Sequence, residues 1–492
     1  MTSLPAPYNE HVETYAPGTP TRARLSATLA AMSKEVVEIP VVAGSERIRT
    51  GKLVDITMPH RHRHVIARAH EAGAAETEKA IAAAMRVAPQ WAAMRFEDRA
   101  AIFLRAADLL SGPWRARINA ACMLGQSKTS HQSEIDAVAE LADFFRWNVH
   151  FYAQIATHQP VSPHGMWNRV DLRPLEGFVL AITPFNFLSI GVNLPTAPIL
   201  GGNVALWKPA TTSLLGCWHM LELLREAGLP DGVLNLVAGH GGAQADVALA
   251  SPHLAGIHFT GSTGVFKHLW KSVANNLDHY RTFPRLVGET GGKDFIVAHP
   301  SADPVAVATA ISRGGFEYQG QKCSAASRIY LPRSLWPEIR DRVVADLGAM
   351  KMGDVSDFST FLGAVIDQRA YARITQYQQA ARDGGKILSG GSADDREGWF
   401  VQPTLVEVAD PKHRLMQEEI FGPVVTCFVY DDTSPAKSWT ETLALVDSTS
   451  PYALTGAVFA RDRGPGPQDT RNVRGDRRGT DTASRGAART SP

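Results

Sequence analysis

Residues 177–207 read GFVLAITPFNFLSIGVNLPTAPILGGNVALW, a run of 31 residues without a charge. At that length a membrane-spanning helix has to be weighed first, because about 20 apolar residues suffice to cross a bilayer. Pro184, Asn186, Pro195, Pro198, the Gly201-Gly202 pair and Asn203 argue against it, since each frees or buries backbone polar groups that lipid cannot satisfy. The segment reads instead as a buried strand at 178–182, a turn, a helix at 188–200 and a second buried strand at 204–207. Outward from it, residues 233–237 and 256–259 continue the strands, with helical stretches at 214–227 and 243–250 between them. Short apolar runs alternating with helices are the pattern of βαβ units on a parallel sheet. A second series follows, with a strand at 295–298, a helix at 304–318, a strand at 328–331 and a helix at 334–349. The expected fold class is α/β, with two parallel-sheet domains in succession.

Upstream, residues 72–94, 96–110 and 133–156 carry apolar side chains at helical spacing. Residues 161–174 break that pattern with Pro163, Gly165 and Pro174 around Trp167 and Val170, and read as an extended arm or hairpin suited to an oligomer contact. From Gly464 to the end the chain has a single Val473 as its only large apolar residue, against six Arg, five Gly and three Pro. Such a segment does not offset the entropy of ordering itself and is expected to be disordered.

Composition narrows the function classes. Fifty Lys and Arg against 49 Asp and Glu leave a net charge of +1, so no global field favours nucleic acid or an anionic membrane as partner. Cys122, Cys217, Cys323 and Cys427 are far apart and contain no C-x-x-C pair, which describes neither a disulfide framework nor a zinc module and points to a reducing compartment. The first thirty residues carry Glu10 and Glu13 and no continuous apolar stretch, so the expected location is the cytoplasm.

Several residues have the chemistry of a site. Cys323 follows Gly320, Gln321 and Lys322; the glycine permits close backbone approach and the lysine places a positive charge where it would favour a thiolate. Taken alone, the same cysteine also reads as a small buried hydrophobe. Glu289 ends an apolar run among Gly288, Gly291 and Gly292, and partial burial would raise it toward the range of a general base; an exposed turn glutamate beside Lys293 is the alternative. Asn186, directly after a buried strand, offers an amide for an oxyanion or is an ordinary turn residue. Lys208 and the loop Gly261, Ser262, Thr263, Gly264 and Val265 follow strand ends and suit ribose hydroxyls and phosphates at a helix N-terminus. A G-x-G-x-x-G fingerprint is absent, Gly239-His240-Gly241 coming nearest. In His60-Arg61-His62-Arg63-His64 the alternation puts three imidazoles on one strand face, but the interleaved arginines repel a dication, and the expectation is no metal.

Together these segments resemble the aldehyde dehydrogenase superfamily, most closely its 1-pyrroline-5-carboxylate dehydrogenase branch. The resemblance rests on Glu176-Gly177-Phe178 with Thr183-Pro184-Phe185-Asn186-Phe187, on Phe259-Thr260-Gly261-Ser262, on Phe266-Lys267-His268-Leu269-Trp270-Lys271 and on Phe283-Pro284-Arg285-Leu286 leading into Glu289. It continues through Gly320-Gln321-Lys322-Cys323-Ser324 and Glu418-Glu419-Ile420-Phe421-Gly422-Pro423, and covers residues 40–462 in unbroken order. It implies two Rossmann-type domains and an oligomerisation arm: an N-terminal extension at 1–40, an NAD-binding domain at 41–160 and 175–288, a hairpin at 161–174, a catalytic domain at 289–462 and an atypical tail at 463–492. It also implies NAD-dependent oxidation of L-glutamate 5-semialdehyde to L-glutamate in proline catabolism, by a homodimer or higher homo-oligomer. Cys323 is then the nucleophile, Asn186 with the Cys323 backbone N–H the oxyanion hole, and Glu289 the base for water. Lys208 and Glu419 hold ribose hydroxyls, Gly261 to Val265 the pyrophosphate, and Phe421 the nicotinamide ribose. Phe187 and Ser324 wall the substrate pocket, and Glu140 either faces the approach path of the aldehyde or is a solvated helix residue.

After Asp462 the sequence departs from the family, whose continuation supplies a substrate-carboxylate loop and a C-terminal strand. The abrupt change to Arg, Gly and Thr reads as translation in a shifted frame, for which the gene's other two frames are the test. The alternative function is an inactive or weakly active chain that still binds NAD.

Overall fold

The computed structural model describes residues 4–239 and 242–462; the expectation of a disordered tail at 463–492 falls outside the described residues. The chain divides into two compact units, one running to Met58 and from His62 to Thr290, the other formed by Pro59–Arg61 and the chain from Gly291 onward.

The first unit is built on a seven-stranded sheet. Its strands lie in the order Arg285–Glu289, Leu254–Thr260, Phe178–Thr183, Val204–Pro209, Leu234–Leu236, Val41–Ala43 and Glu46–Ile48. The first five are parallel, and Val41–Ala43 runs antiparallel to both of its neighbours. Phe178–Thr183 and Val204–Pro209 are buried along nearly their whole length, as strands covered on both faces must be, which is why the sequence shows them as unbroken apolar runs. From Phe178–Thr183 the chain winds to Val204–Pro209 and Leu234–Leu236 on one side, then returns to Leu254–Thr260 on the other. That reversal creates a topological switch point, where open α/β sheets bind ligands outside the carboxyl ends of their strands.

The helices at Leu188–Leu200, Leu214–Glu226 and Ala243–Ala250 fall where the sequence pattern places them. The stretch read as one helix over 133–156 is interrupted: a π-helical segment at Glu134–Ala139 precedes the α-helix Glu140–Thr157. Periodicity alone did not reveal the helices Pro20–Met32 and Arg115–Gln126. Residues 161–174 contain no strand; the segment is an exposed turn in which Asn168 Nδ2 donates to the Val161 carbonyl (2.8 Å) and Gln159 Oε1 accepts from the Val170 N–H (2.9 Å).

The second unit carries a six-stranded sheet in the order Lys386–Ser389, Thr404–Val408, Val424–Tyr430, Ala326–Pro332, Asp294–Ala298, Gly456–Phe459. All neighbours are parallel except the Lys386–Ser389 edge. The helices Pro304–Phe316 and Trp336–Ala349 bring Val307, Ile311, Ile339 and Val343 against Ile329, Leu331 and Val425 of the sheet, forming one apolar core. Among the described residues no helix is long and apolar enough to cross a membrane.

Candidate active site

In the first unit the residues singled out from sequence gather at one edge of the sheet, beyond the carboxyl ends of parallel strands. Asn186 lies three residues past Phe178–Thr183; it is buried, and its side chain makes no hydrogen bond to a described residue. Phe187 caps the helix Leu188–Leu200, with the Lys128 ammonium 4.8 Å from its ring centroid. Lys208 is the penultimate residue of the neighbouring strand, in register with Ile182. Burial lowers its pKa, and among the described residues no carboxylate is paired with it. A half-buried cation without a counter-ion is costly unless something polar is meant to meet it.

On the other side of the switch point the helix Thr263–Asn275 starts with Ser262, whose Oγ accepts from the Val265 N–H at 3.4 Å. Phe266 stacks on Phe259, with ring centroids 5.4 Å apart, and seats the helix on the sheet. A Cβ on Gly288 would fall 2.3 Å from the Phe266 ring, so any larger residue there would displace that ring. The helix N-terminus is open to an anion: the Thr260 and Thr263 hydroxyls are buried without partners among the described residues, and a Cβ at Gly264 would meet nothing within 4 Å. In chemical type, a half-buried cation and open hydroxyls at a helix start are groups that could meet the ribose and phosphates of a dinucleotide.

Of the two readings of Glu289, the exposed one matches the structure. It is exposed, not half-buried, because its strand is the edge of the sheet and alternates exposed and intermediate residues along its length. Glu140 begins the helix Glu140–Thr157, and its Oε2 accepts from Ser189 Oγ at 2.5 Å.

In the second unit Cys323 follows a tight turn, Glu317–Gly320, in which Tyr318, Gln319 and Gly320 all have positive φ. Lys322 does not support a thiolate as expected: its Nζ lies 3.6 Å from Glu317 Oε2. Burial, then the charges of Asp294 and Glu419, push the Cys323 thiol up to about 11. The local sequence showed the lysine but not the two carboxylates, which come from distant segments. Cys122, Cys217 and Cys427 are fully buried, as small hydrophobes are.

The loop holding Glu419 and Phe421 meets the cysteine loop. A Cβ on Gly320 would lie 2.5 Å from the Gly422 carbonyl oxygen, and Phe421 itself has φ 55°. Glu419 accepts from the Gly292 N–H at 3.0 Å, and burial raises its pKa. Ser324 is exposed beside Cys323. Sequence reasoning passed over Lys293 and Asp294. Lys293 is 1% exposed, its Nζ has no hydrogen-bond partner among the described residues, and desolvation lowers it to about 7. Asp294 is 2% exposed, takes the Thr455 N–H at 2.8 Å on Oδ1, and is raised by burial to about 7. Their position just after two consecutive glycines was the only local sign.

The histidine run does not form one site. His60 belongs to the second unit, its Nε2 3.6 Å from Asp354 Oδ1, while His64 Nε2 lies 2.7 Å from the Ser33 carbonyl oxygen in the first. Among the described residues no group of three His, Cys, Asp or Glu side chains is arranged to hold a metal.

A parallel-sheet unit with a dinucleotide-fitting edge, and a second unit presenting a cysteine beside a Glu-x-Phe loop, define an oxidoreductase class. The model of the aldehyde dehydrogenase family matches residues 48–468, and the chain belongs to that family. Its similarity extends to particular members. The delta-1-pyrroline-5-carboxylate dehydrogenase of Agaricus bisporus is 45% identical over 464 residues, 94% of this chain and 84% of its own. The mitochondrial protein of that name from Bos taurus is 48% identical over 458 residues, 92% of this chain and 81% of its own. The crystal structure of the Delta-pyrroline-5-carboxylate dehydrogenase from Mycobacterium tuberculosis bound with NAD matches with a TM-score of 0.91 at 48% identity, covering 96% of this chain and 86% of that one.

Proposed function

We propose that this chain oxidises L-glutamate 5-semialdehyde, the open form of 1-pyrroline-5-carboxylate, to L-glutamate with NAD, a step of proline catabolism. The observation that carries the proposal is 45–48% identity to proteins of that name over more than nine tenths of the chain. The residues at hand supply the chemistry. Cys323 adds to the aldehyde carbon, and the Asn186 amide and the Cys323 backbone N–H hold the oxyanion. Bound NAD supplies the acceptor for the hydride that the thiohemiacetal carbon gives up, leaving a thioester on Cys323. Glu289 takes a proton from the water that adds to the thioester carbon, the C–S bond breaks, the carboxylate product leaves and Cys323 regains its proton.

Lys208 and Glu419 hold ribose hydroxyls, Gly261, Ser262, Thr263, Gly264 and Val265 the pyrophosphate, and Phe421 the nicotinamide ribose. Phe187 and Ser324 flank the substrate, and Glu140 faces its approach. Residues 41–160 and 175–288 serve cofactor binding and 289–462 catalysis. Assembly as a homodimer or larger homo-oligomer through 161–174 belongs to the same reading, and is supported by Val161 at 86% and Trp167 at 80% exposure. Cytoplasmic placement is supported by four free cysteines.

The test is NADH formation from glutamate semialdehyde by purified chain, compared with Cys323→Ala. Turnover abolished in the variant supports the proposal. NAD-dependent thermal stabilisation without turnover assigns the chain to cofactor binding alone, and ester cleavage indifferent to NAD assigns it to cysteine hydrolysis.

A further inference from the structure

The turn that delivers Cys323 is held in an unfavourable conformation by two buried glutamines. Tyr318 (φ 51°, ψ 41°) and Gln319 (φ 55°, ψ 29°) are both left-handed and neither is glycine; Gly320 follows at φ 63°. Consecutive non-glycine residues in this region persist only where the surroundings over-determine them. The Gln319 amide does so from both ends: Oε1 accepts from the Gly363 N–H at 3.1 Å and Nε2 donates to the Ala364 carbonyl at 2.7 Å. Gln321 Oε1 accepts from the Ile366 N–H at 2.9 Å, and its Nε2 donates back to the Tyr318 carbonyl at 3.5 Å. Both side chains are fully buried, and the 363–366 segment they grip is buried as well. The segment is itself fixed, Val365 N–H donating to the Trp399 carbonyl at 2.8 Å. The two amides thus replace the backbone rungs that a strand would have used, and the residue two places on is the nucleophile.

We infer that Gln319 and Gln321 are positioning residues for Cys323, clamping its loop to residues 363–366 so that the sulfur is presented in one place. The inference rests on Cys323 being the nucleophile of the proposed reaction. Without the clamp the turn relaxes to right-handed backbone, and the thiol leaves the burial, and after it the Asp294 and Glu419 charges, that hold it protonated.

Gln319→Met and Gln321→Met keep the volume and remove the hydrogen bonds. Two measurements are compared with the unaltered chain: NADH turnover alongside NAD affinity, and the rate of Cys323 alkylation by iodoacetamide against pH, located by mass spectrometry. Misplacing a reacting atom by about 1 Å costs roughly a hundredfold, so kcat falls by about that factor while the NAD dissociation constant stays within about twofold. Alkylation at pH 8 becomes several-fold faster, its midpoint falling from about 11 toward the ordinary thiol value of about 8.5. Slower turnover with faster alkylation is the signature of a displaced sulfur. Val307→Ala, in the apolar core of the same unit, controls for general loosening. Glutamine variants that match the unaltered chain in both measurements, or shift no further than Val307→Ala, overturn the inference. An unaltered chain that forms no NADH defeats the dehydrogenase reading, and the alkylation profiles then decide the clamp by themselves.

Discussion

Gly292 and Cys323 are in contact through their backbones: a Cβ built on Gly292 would lie 2.3 Å from the Cys323 carbonyl oxygen and 2.9 Å from Asp294 Oδ2. Neither neighbour can yield cheaply, since one is backbone and the other a buried carboxylate already bonded to the Thr455 N–H. Gly292 also donates its N–H to Glu419 at 3.0 Å. One residue without a side chain therefore sets the spacing between the Cys323 backbone and the Glu419 carboxylate.

Gly292→Ala is expected to push the cysteine loop outward. Overpacking of this kind costs about 1–3 kcal/mol, and the displaced sulfur should lose about a hundredfold in turnover. Thermal unfolding and NADH formation check both; an alanine variant with unaltered melting and rate would mean that the contact has slack the geometry does not show.

Cys323 should alkylate slowly near neutrality and still be gaining rate above pH 9 in the absence of cofactor, because burial and two carboxylates disfavour the thiolate and place the thiol at about 11. Removing one of those charges with Asp294→Asn lowers the midpoint, since a negative neighbour raises a thiol's pKa. Iodoacetamide rates from pH 6 to 11 read both effects, and a midpoint below the ordinary thiol value contradicts the assignment.

Lys208→Met separates function from stability by sign. NAD affinity is expected to fall by about tenfold or more, equivalent to about 1.4 kcal/mol. The unfolding midpoint should hold or rise, because a half-buried, unpaired ammonium is replaced by an apolar chain of similar shape. Fluorescence titration with NAD and a melting curve suffice. Equal affinity in the two forms removes Lys208 from the cofactor site.

Glu289→Gln should release a burst of NADH and then stall with the acyl group on Cys323, the steady state slowing by about 10²–10⁴-fold. The exposure of Glu289 means that melting is unaffected. Undiminished steady-state turnover would transfer the task of activating water to another group.

What could be read from the chain before folding was whatever depends on near neighbours. The buried runs at Phe178–Thr183 and Val204–Pro209, the helix Ala243–Ala250 and the capped start of Thr263–Asn275 each follow from periodicity and local hydrogen bonding, which operate over a few residues. Asn186, Lys208 and the loop Gly261 to Val265 were visible for the same reason, as polar groups or glycines at strand ends, whereas Glu419, Phe421 and Glu140 entered through the family resemblance. Burial and charge were not. Glu289 is exposed because its strand has a partner on only one side, and Lys322 is turned to Glu317. The Cys323 thiol is governed by Asp294 and Glu419, and its loop by residues 363–366, more than forty positions away. Solvation and electrostatics are set by what the folded chain brings within a few ångströms, and order along the backbone does not encode that distance.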